Sequence, residues 1–177
     1  MTGIIAIASG SGASHALALK YDGTVWAWGL GTSGQLGDGY ILTRNYATQV
    51  AGLSNVIAID AGTAYSMALK SDGTVWAWGI NTSYQLGQGD AVARPQPTQV
   101  MGLSGVTDIS AGGIAAFATK NDGTVWGWGG LTNNYGYVGI GTNGVLVPYP
   151  TQLPGLSHVT QLSASEIHSI ARMNCSY

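Results

Sequence analysis

Charge is scarce in this 177-residue chain, with Asp, Glu, Lys and Arg making up 8% of it, against roughly a quarter in an average soluble protein. Helical surfaces ordinarily carry more. An alternating, turn-rich β structure needs less, because Ser, Thr, Asn and Gln can coat its outward positions. Six Lys and Arg against eight Asp and Glu leave a net charge of −2, and no basic block could neutralise a row of phosphates, so nucleic acid is not the expected partner. Cysteine occurs once, as Cys175, which excludes an internal disulfide framework and a Cys-based metal cluster and leaves an intermolecular disulfide as its one redox role. No stretch approaches the ~18 consecutive apolar residues of a spanning helix, so membrane insertion is not expected. The apolar start, residues 1–10, has no basic leader and reads as a strand.

What is abundant is glycine, at 28 positions, within a chain that is 45% hydrophobic. The length suits one domain with a real core. Self-similarity is plain: Asp22-Gly-Thr-Val-Trp-Ala-Trp-Gly29 recurs as Asp72 to Gly79 and as Asp122 to Gly129, 50 residues apart each time. Lys20, Lys70 and Lys120 each stand two residues before the Asp-Gly pair. Further on, Ala47-Thr-Gln-Val, Pro97-Thr-Gln-Val and Pro150-Thr-Gln-Leu each lead to Gly-Leu-Ser. A last element, at Ile4, Val56, Val106 and Val159, precedes His15-Ala-Leu-Ala-Leu19, Tyr65-Ser-Met-Ala-Leu69, Ala115-Ala-Phe-Ala-Thr119 and His168-Ser-Ile-Ala-Arg172. It has four copies against three of the hairpin segment.

An Asp-Gly between two alternating apolar runs signals a hairpin, so Asp22-Gly23, Asp72-Gly73 and Asp122-Gly123 are read as turns. Side chains alternate along a strand, placing Trp26 and Trp28 on one face with Val25 and Ala27 on the other. Repeated at Trp76/Trp78 and Trp126/Trp128, this suits sheets stacked bulky face to small face, and the six Trp are the expected repeat core. Four short strands fit each period, in the second copy near residues 56–60, 66–70, 74–79 and 98–100. The fold expected is all-β, with propeller-type blades of about 50 residues in roughly 3.5 repeats, a partial propeller or half ring. The chain is one repeat domain, 1–177, with repeats at about 4–55, 56–105 and 106–158 and a partial fourth at about 159–177. A parallel β-solenoid is the alternative, though its coils are usually shorter.

The pattern Ala61-Gly62, Tyr65-Ser66-Met67-Ala68-Leu69, Asp72-Gly73, Val75, Trp78-Gly79, Gln85-Leu86-Gly87 and Gly89 resembles the regulator-of-chromosome-condensation repeat. The first copy keeps Gln35-Leu36-Gly37-Asp38-Gly39, and the third degrades to Tyr137-Val138-Gly139-Ile140-Gly141. The resemblance covers essentially the whole chain and implies a propeller. Complete rings of that family are typically seven-bladed, which at ~50 residues per blade takes about 350 residues, twice the length here. The expectation is therefore self-association, with two chains completing a ring or chains stacking end to end, because soluble proteins seldom leave sheet faces and edges bare.

No catalytic residue, cofactor site or metal site is nominated. His15 and His168 share a column with Tyr65 and Ala115, His158 matches Asn55 and Gly105, and no Ser, His and acid meet outside the repeat columns. The glycine-rich segments 10–12 and 127–130 lack the lysine and helix start of a phosphate loop. Variation concentrates in residues 30–46, 80–96 and 130–149, whose Tyr40, Tyr46, Tyr84, Tyr135, Tyr137 and Tyr149, with Asn81, Asn133 and Asn134, are the candidate partner contacts. These readings converge on a non-enzymatic, self-assembling propeller that presents loops to a protein partner, in an extracellular or virion assembly, with the cytoplasm as the alternative. Glycan binding through the Tyr and Asn loops is a second reading. A third follows from resemblance to the propeller type of β-lactamase inhibitory protein, a secreted inhibitor. Nucleotide exchange, the activity of the family's namesake, has no residue here to carry it.

Overall fold

The computed structural model describes residues 1–10, 12–130, 138–141, 146–165 and 169–173. Three four-stranded sheets follow one another: β1 (Ile4–Ala8), β2 (His15–Lys20), β3 (Val25–Gly29) and β4 (Arg44–Gln49); β5 (Val56–Ala61), β6 (Tyr65–Lys70), β7 (Val75–Gly79) and β8 (Arg94–Gln99); β9 (Val106–Ala111), β10 (Ala115–Lys120), β11 (Val125–Gly129) and β12 (Val147–Gln152). A two-stranded sheet, β13 (Val159–Ala164) with β14 (Ser169–Met173), comes last. Each is an antiparallel meander in chain order, the form of a propeller blade.

The Asp-Gly-Thr segments close the hairpins by local chemistry. Lys20 N–H donates to the Thr24 carbonyl, and Gly23 N–H to that of Lys20. One Asp22 carboxylate oxygen accepts from both Thr24 N–H (3.0 Å) and Thr24 Oγ1 (2.6 Å). Gly23 takes φ 76°, so the turn is a three-residue loop with glycine in the left-handed position. Residues 70–74 and 120–124 repeat every one of these contacts. Each preceding lysine then lies over the first Trp of its hairpin, 5.3–6.0 Å from the ring centroid.

The fourth strand departs from the expectation. It begins at Arg94, not near residue 98, and takes in two prolines. Proline lacks the N–H that a strand interior needs, which is why this stretch reads as connection in sequence. On an outermost strand the missing donor faces away from the sheet and costs nothing. Tyr46 and Tyr149, assigned above to long connections, accordingly lie on β4 and β12.

Successive sheets pack through their opposite faces. Leu17, Leu19, Val25 and Ala27 of the first sheet, with Leu36 and Val50, receive Trp78 and Trp76 of the second. The second sheet offers Met67, Leu69, Val75, Ala77, Leu86 and Val100 to the third in the same way, with Trp128 and Trp126 entering. Polar ties stitch the first strands together. Asp60 accepts the Ala111 N–H at 2.8 Å, and Ser110 Oγ accepts the Ala164 N–H at 2.8 Å.

Trp28 holds the repeat position of Trp78 and Trp128 but meets no preceding sheet among the described residues and is half-buried, whereas both of those are 0% exposed. Trp78→Ala is therefore expected to cost about 3–5 kcal/mol in urea unfolding. Trp28→Ala should cost less than about 2 kcal/mol; equal losses would mean that Trp28 is already covered.

Candidate partner-binding surface

The Gln-Leu-Gly loops are rigid because each glutamine bonds within its own turn. Gln35 Oε1 accepts the Ser33 N–H at 2.9 Å, and Gln85 Oε1 that of Ser83 at 2.8 Å. With the side chains so held, the Gln35 and Gln85 carbonyls point at the next sheet and accept the Trp78 and Trp128 indole N–H, both at 2.9 Å. A second tie runs outside these: Gly39 N–H donates to the Pro95 carbonyl and Gly89 N–H to that of Pro148, each at 3.0 Å.

The connection after β3 is clamped by an ion pair. Arg44 meets the Asp38 carboxylate at 2.7 Å through Nε and again through a terminal nitrogen, while Asp38 also accepts the Tyr40 N–H. The guanidinium sits 5.4 Å from the Tyr40 ring centroid. Tyr40, 61% exposed, is thus held outward on a fixed backbone, beside exposed Ile41, Leu42 and Leu30. In the second sheet the clamp is rebuilt from Asp90 and Arg94 at 2.7 Å, with Asn81 bonding the Asp90 carbonyl and the Leu86 N–H.

The candidate tyrosines do not form one cluster. Tyr46 is exposed on β4 near the Tyr40 patch; Tyr149 is exposed on β12, its hydroxyl end against Gly89 of the preceding sheet. Tyr84 is half-buried in the second connection with φ 60°, where the first repeat has Gly34. Tyr135, Tyr137, Asn133, Asn134, His168 and Cys175 lie outside the described residues. At the turn end, His158 faces an open groove of about 470 Å³ with Lys120, Asn121, Asp122, Thr107 and Thr160.

One polar pair escaped the sequence reading because its members are 51 residues apart. Buried His15 has Nε2 2.9 Å from Ser66 Oγ, which itself donates to the Gln35 carbonyl at 2.9 Å. The hydroxyl proton is spent on that carbonyl, so the imidazole must donate to Ser66 through its Nε2–H. This is the reverse of the direction a serine nucleophile needs. Nδ1 is buried with no hydrogen-bond partner among the described residues, so no acid orients the ring. In the next repeat Tyr65 occupies the column and its hydroxyl donates to the Ala115 carbonyl at 2.8 Å; the column links sheets. The signal available in sequence was that His15 and Tyr65, both long donors, share one repeat position.

Burial pushes the His15 imidazole down to about 4. The unfolded chain then binds a proton that the folded chain refuses, so stability falls as pH drops from about 6.5 through 4. Burial pushes the carboxyls of Asp60 and Asp108 up, in part against the backbone N–H groups they accept, and these act in the opposite sense as pH falls. A comparison of wild type with His15→Gln cancels them. Between about pH 7 and pH 4 the wild type should lose about 3 kcal/mol of unfolding free energy relative to the variant; parallel pH profiles in urea would show that His15 titrates normally.

Known proteins identify the architecture. The regulator of chromosome condensation (RCC1) repeat matches residues 22–69, 72–118 and 122–172, and a second pattern for the same repeat matches 4–35 and 56–85. No curated protein matches the chain. Among solved structures, yeast RCC1 (Prp20) bound to Kap60 superposes with a TM-score of 0.81 at 27% identity, over 96% of this chain and 41% of that one. Prp20p from Saccharomyces cerevisiae, in a structure concerned with its binding to Gsp1p and histones, gives 0.81 at 26% identity over 96% and 43%. Human WBSCR16, at 23% identity over 90% and 42% with a TM-score of 0.77, shares the fold. The chain thus spans about two fifths of the length of these proteins. With three repeats matched in register over most of its length, the chain belongs to the regulator of chromosome condensation (RCC1) repeat family.

Proposed function

We propose that the chain is a non-enzymatic scaffold for protein–protein contact, and that it associates with a second copy through the open face of its first sheet. One observation carries the reading. Ile7, 68% exposed, holds the position of Ile59 and Ile109, which pack between sheets in the second and third repeats. Trp28 and Tyr46, the latter 70% exposed, occupy the same face, and exposed Tyr40, Ile41 and Leu42 adjoin it. An apolar surface of this kind on a rigid sheet, with the nearby cations Arg44 and Lys20 already paired to Asp38 and Asp22, is suited to burial against protein. The solved relatives support the class of function: yeast Prp20 is seen bound to Kap60, and its binding to Gsp1p and histones has been described.

Light scattering coupled to size exclusion, over a dilution series, tests the self-association. The wild type should run as a dimer or larger species that dissociates on dilution, and Ile7→Lys with Tyr46→Lys should run as a folded monomer. A wild type that is monomeric at every concentration would remove the second copy from the proposal, and Tyr40 variants would then be the ones to screen against protein partners.

A further inference from the structure

At the hairpin end of each complete sheet two residues share one slot. One stands before the Asp-Gly pair, at Tyr21, Ser71 and Asn121. The other is the left-handed residue before the first strand, at Gly3, Asn55 and Gly105, with φ 75°, 57° and 65°. The backbone frame is the same each time: the N–H of Tyr21, Ser71 and Asn121 donates to the carbonyl of Gly3, Asn55 and Gly105 at 2.8–2.9 Å. The slot takes one large side chain. A side chain built at Gly3 would meet Cδ1 and Cε1 of Tyr21 at 2.6 Å, and one at Gly105 would meet the Asn121 amide oxygen at 3.1 Å. In the second sheet the sizes are reversed, with Asn55 beside Ser71.

Between the first and second sheets this reversal leaves a groove of about 250 Å³, with Tyr21 and Asp22 on one side and Asn55, Ile57 and Ser71 on the other. The backbone beneath is closed, since Val56 N–H donates to the Gly23 carbonyl at 3.2 Å. Tyr21 is 76% exposed although its ring lies against Gly3, and Ile57 is exposed as well. The Asn55 amide and the Ser71 hydroxyl have no hydrogen-bond partner among the described residues. Charge is already balanced: one Asp22 oxygen holds Thr24, and the other lies 3.1 Å from the Lys20 ammonium, which sits over Trp26. A phosphate or a free cation therefore finds no unpaired counter-charge. A fixed aromatic ring beside an amide and a hydroxyl suits a ligand with an apolar C–H face and several hydroxyls. The volume lies below the roughly 300–1,000 Å³ of sites for drug-sized ligands, which limits the occupant to one ring.

We propose that this groove is a binding site for a neutral pyranose sugar, stacked by its C–H face on Tyr21 and hydrogen-bonded through its hydroxyls to Asn55, Ser71 and Asp22. The Asn55 amide both donates and accepts, as does the Ser71 hydroxyl, and the Asp22–Lys20 pair supplies an acceptor beside a donor. The site is particular to this pair of sheets. Between the second and third sheets Ser71 stands in the place of Tyr21 and Gly105 in that of Asn55, so no aromatic platform is present there. The inference goes beyond the scaffold reading and does not depend on self-association, because the groove lies at the hairpin end of the sheets, opposite the Tyr40 loop.

The test is saturation-transfer-difference NMR of the intact chain with the methyl glycosides of glucose, galactose, mannose and N-acetylglucosamine, titrated one at a time. At least one should show saturable transfer, strongest at its ring C–H protons, with a millimolar dissociation constant. For that glycoside Tyr21→Ser should weaken binding about tenfold and Asn55→Gly about fivefold, while Tyr21→Phe keeps most of the affinity. Both weakening variants copy what a neighbouring repeat carries, Ser71 and Gly105, and Asn55→Gly relaxes a left-handed position, so each should hold its Tm. No saturable transfer from any of the four, unchanged binding in both variants, or loss with Tyr40→Ala in place of Tyr21→Ser would overturn the proposal, the last by moving the sugar to the loops. Stronger transfer to free arginine than to every glycoside, abolished by salt, would also overturn it, by giving the groove to a cationic side chain.

Discussion

The contact on which the stack of sheets depends is the indole N–H of one sheet donated to a glutamine carbonyl of the sheet before it, across a glycine that leaves room for the ring. Trp78 on Gln35 and Trp128 on Gln85 are the two instances, both fully buried at 2.9 Å. A buried indole without an acceptor would forfeit part of the free energy gained by burying its ring. The acceptor is available because each glutamine side chain binds its own turn and so keeps the loop from rearranging. Large apolar area and one directed hydrogen bond then fix both the spacing and the angle of successive sheets.

The two ends of the stack differ because that contact is directional. The first sheet presents the projecting half, with Trp28, Ile7 and Tyr46 and no loop among the described residues for them to enter. The third sheet ends in the receiving half, with Gly139 and Gly141 in the right backbone conformation and the two-stranded sheet covering its inner strands. Edges follow a separate rule. Proline closes β8 and β12, whereas β4 has Asn45 and Ala47 at the corresponding positions and β14 has no proline. Exposed apolar side chains therefore gather on the first sheet, while the facing side chains of adjoining sheets are committed to one another.

Features made by residues close in sequence were legible. Asp22, Gly23 and Thr24 bond to one another, so the hairpin could be read from three letters and a period. The alternation of Trp with Val and Ala fixed the two sheet faces for the same reason. The outer strand was misplaced because proline signals the absence of a donor and not the direction in which a donor would have pointed. Tyr46 and Tyr149 moved with it from connection to strand. Their exposure depends on which sheet lies beside them, which a single repeat does not encode.

By itself the sequence determined the repeat, its hairpin turns, the face each Trp occupies and the family, since all of these rest on short-range chemistry multiplied by periodicity. Tertiary structure alone decided which identical residues are covered. Trp28 and Trp78 share a motif to the letter, and only the presence of a preceding sheet makes one a half-exposed knob and the other a buried tie. The same holds for His15, whose depressed basicity and bond to Ser66 come from a side chain 51 residues away. Burial is a property of the stack, and a residue's place in the stack is set by its neighbours and not by its own repeat.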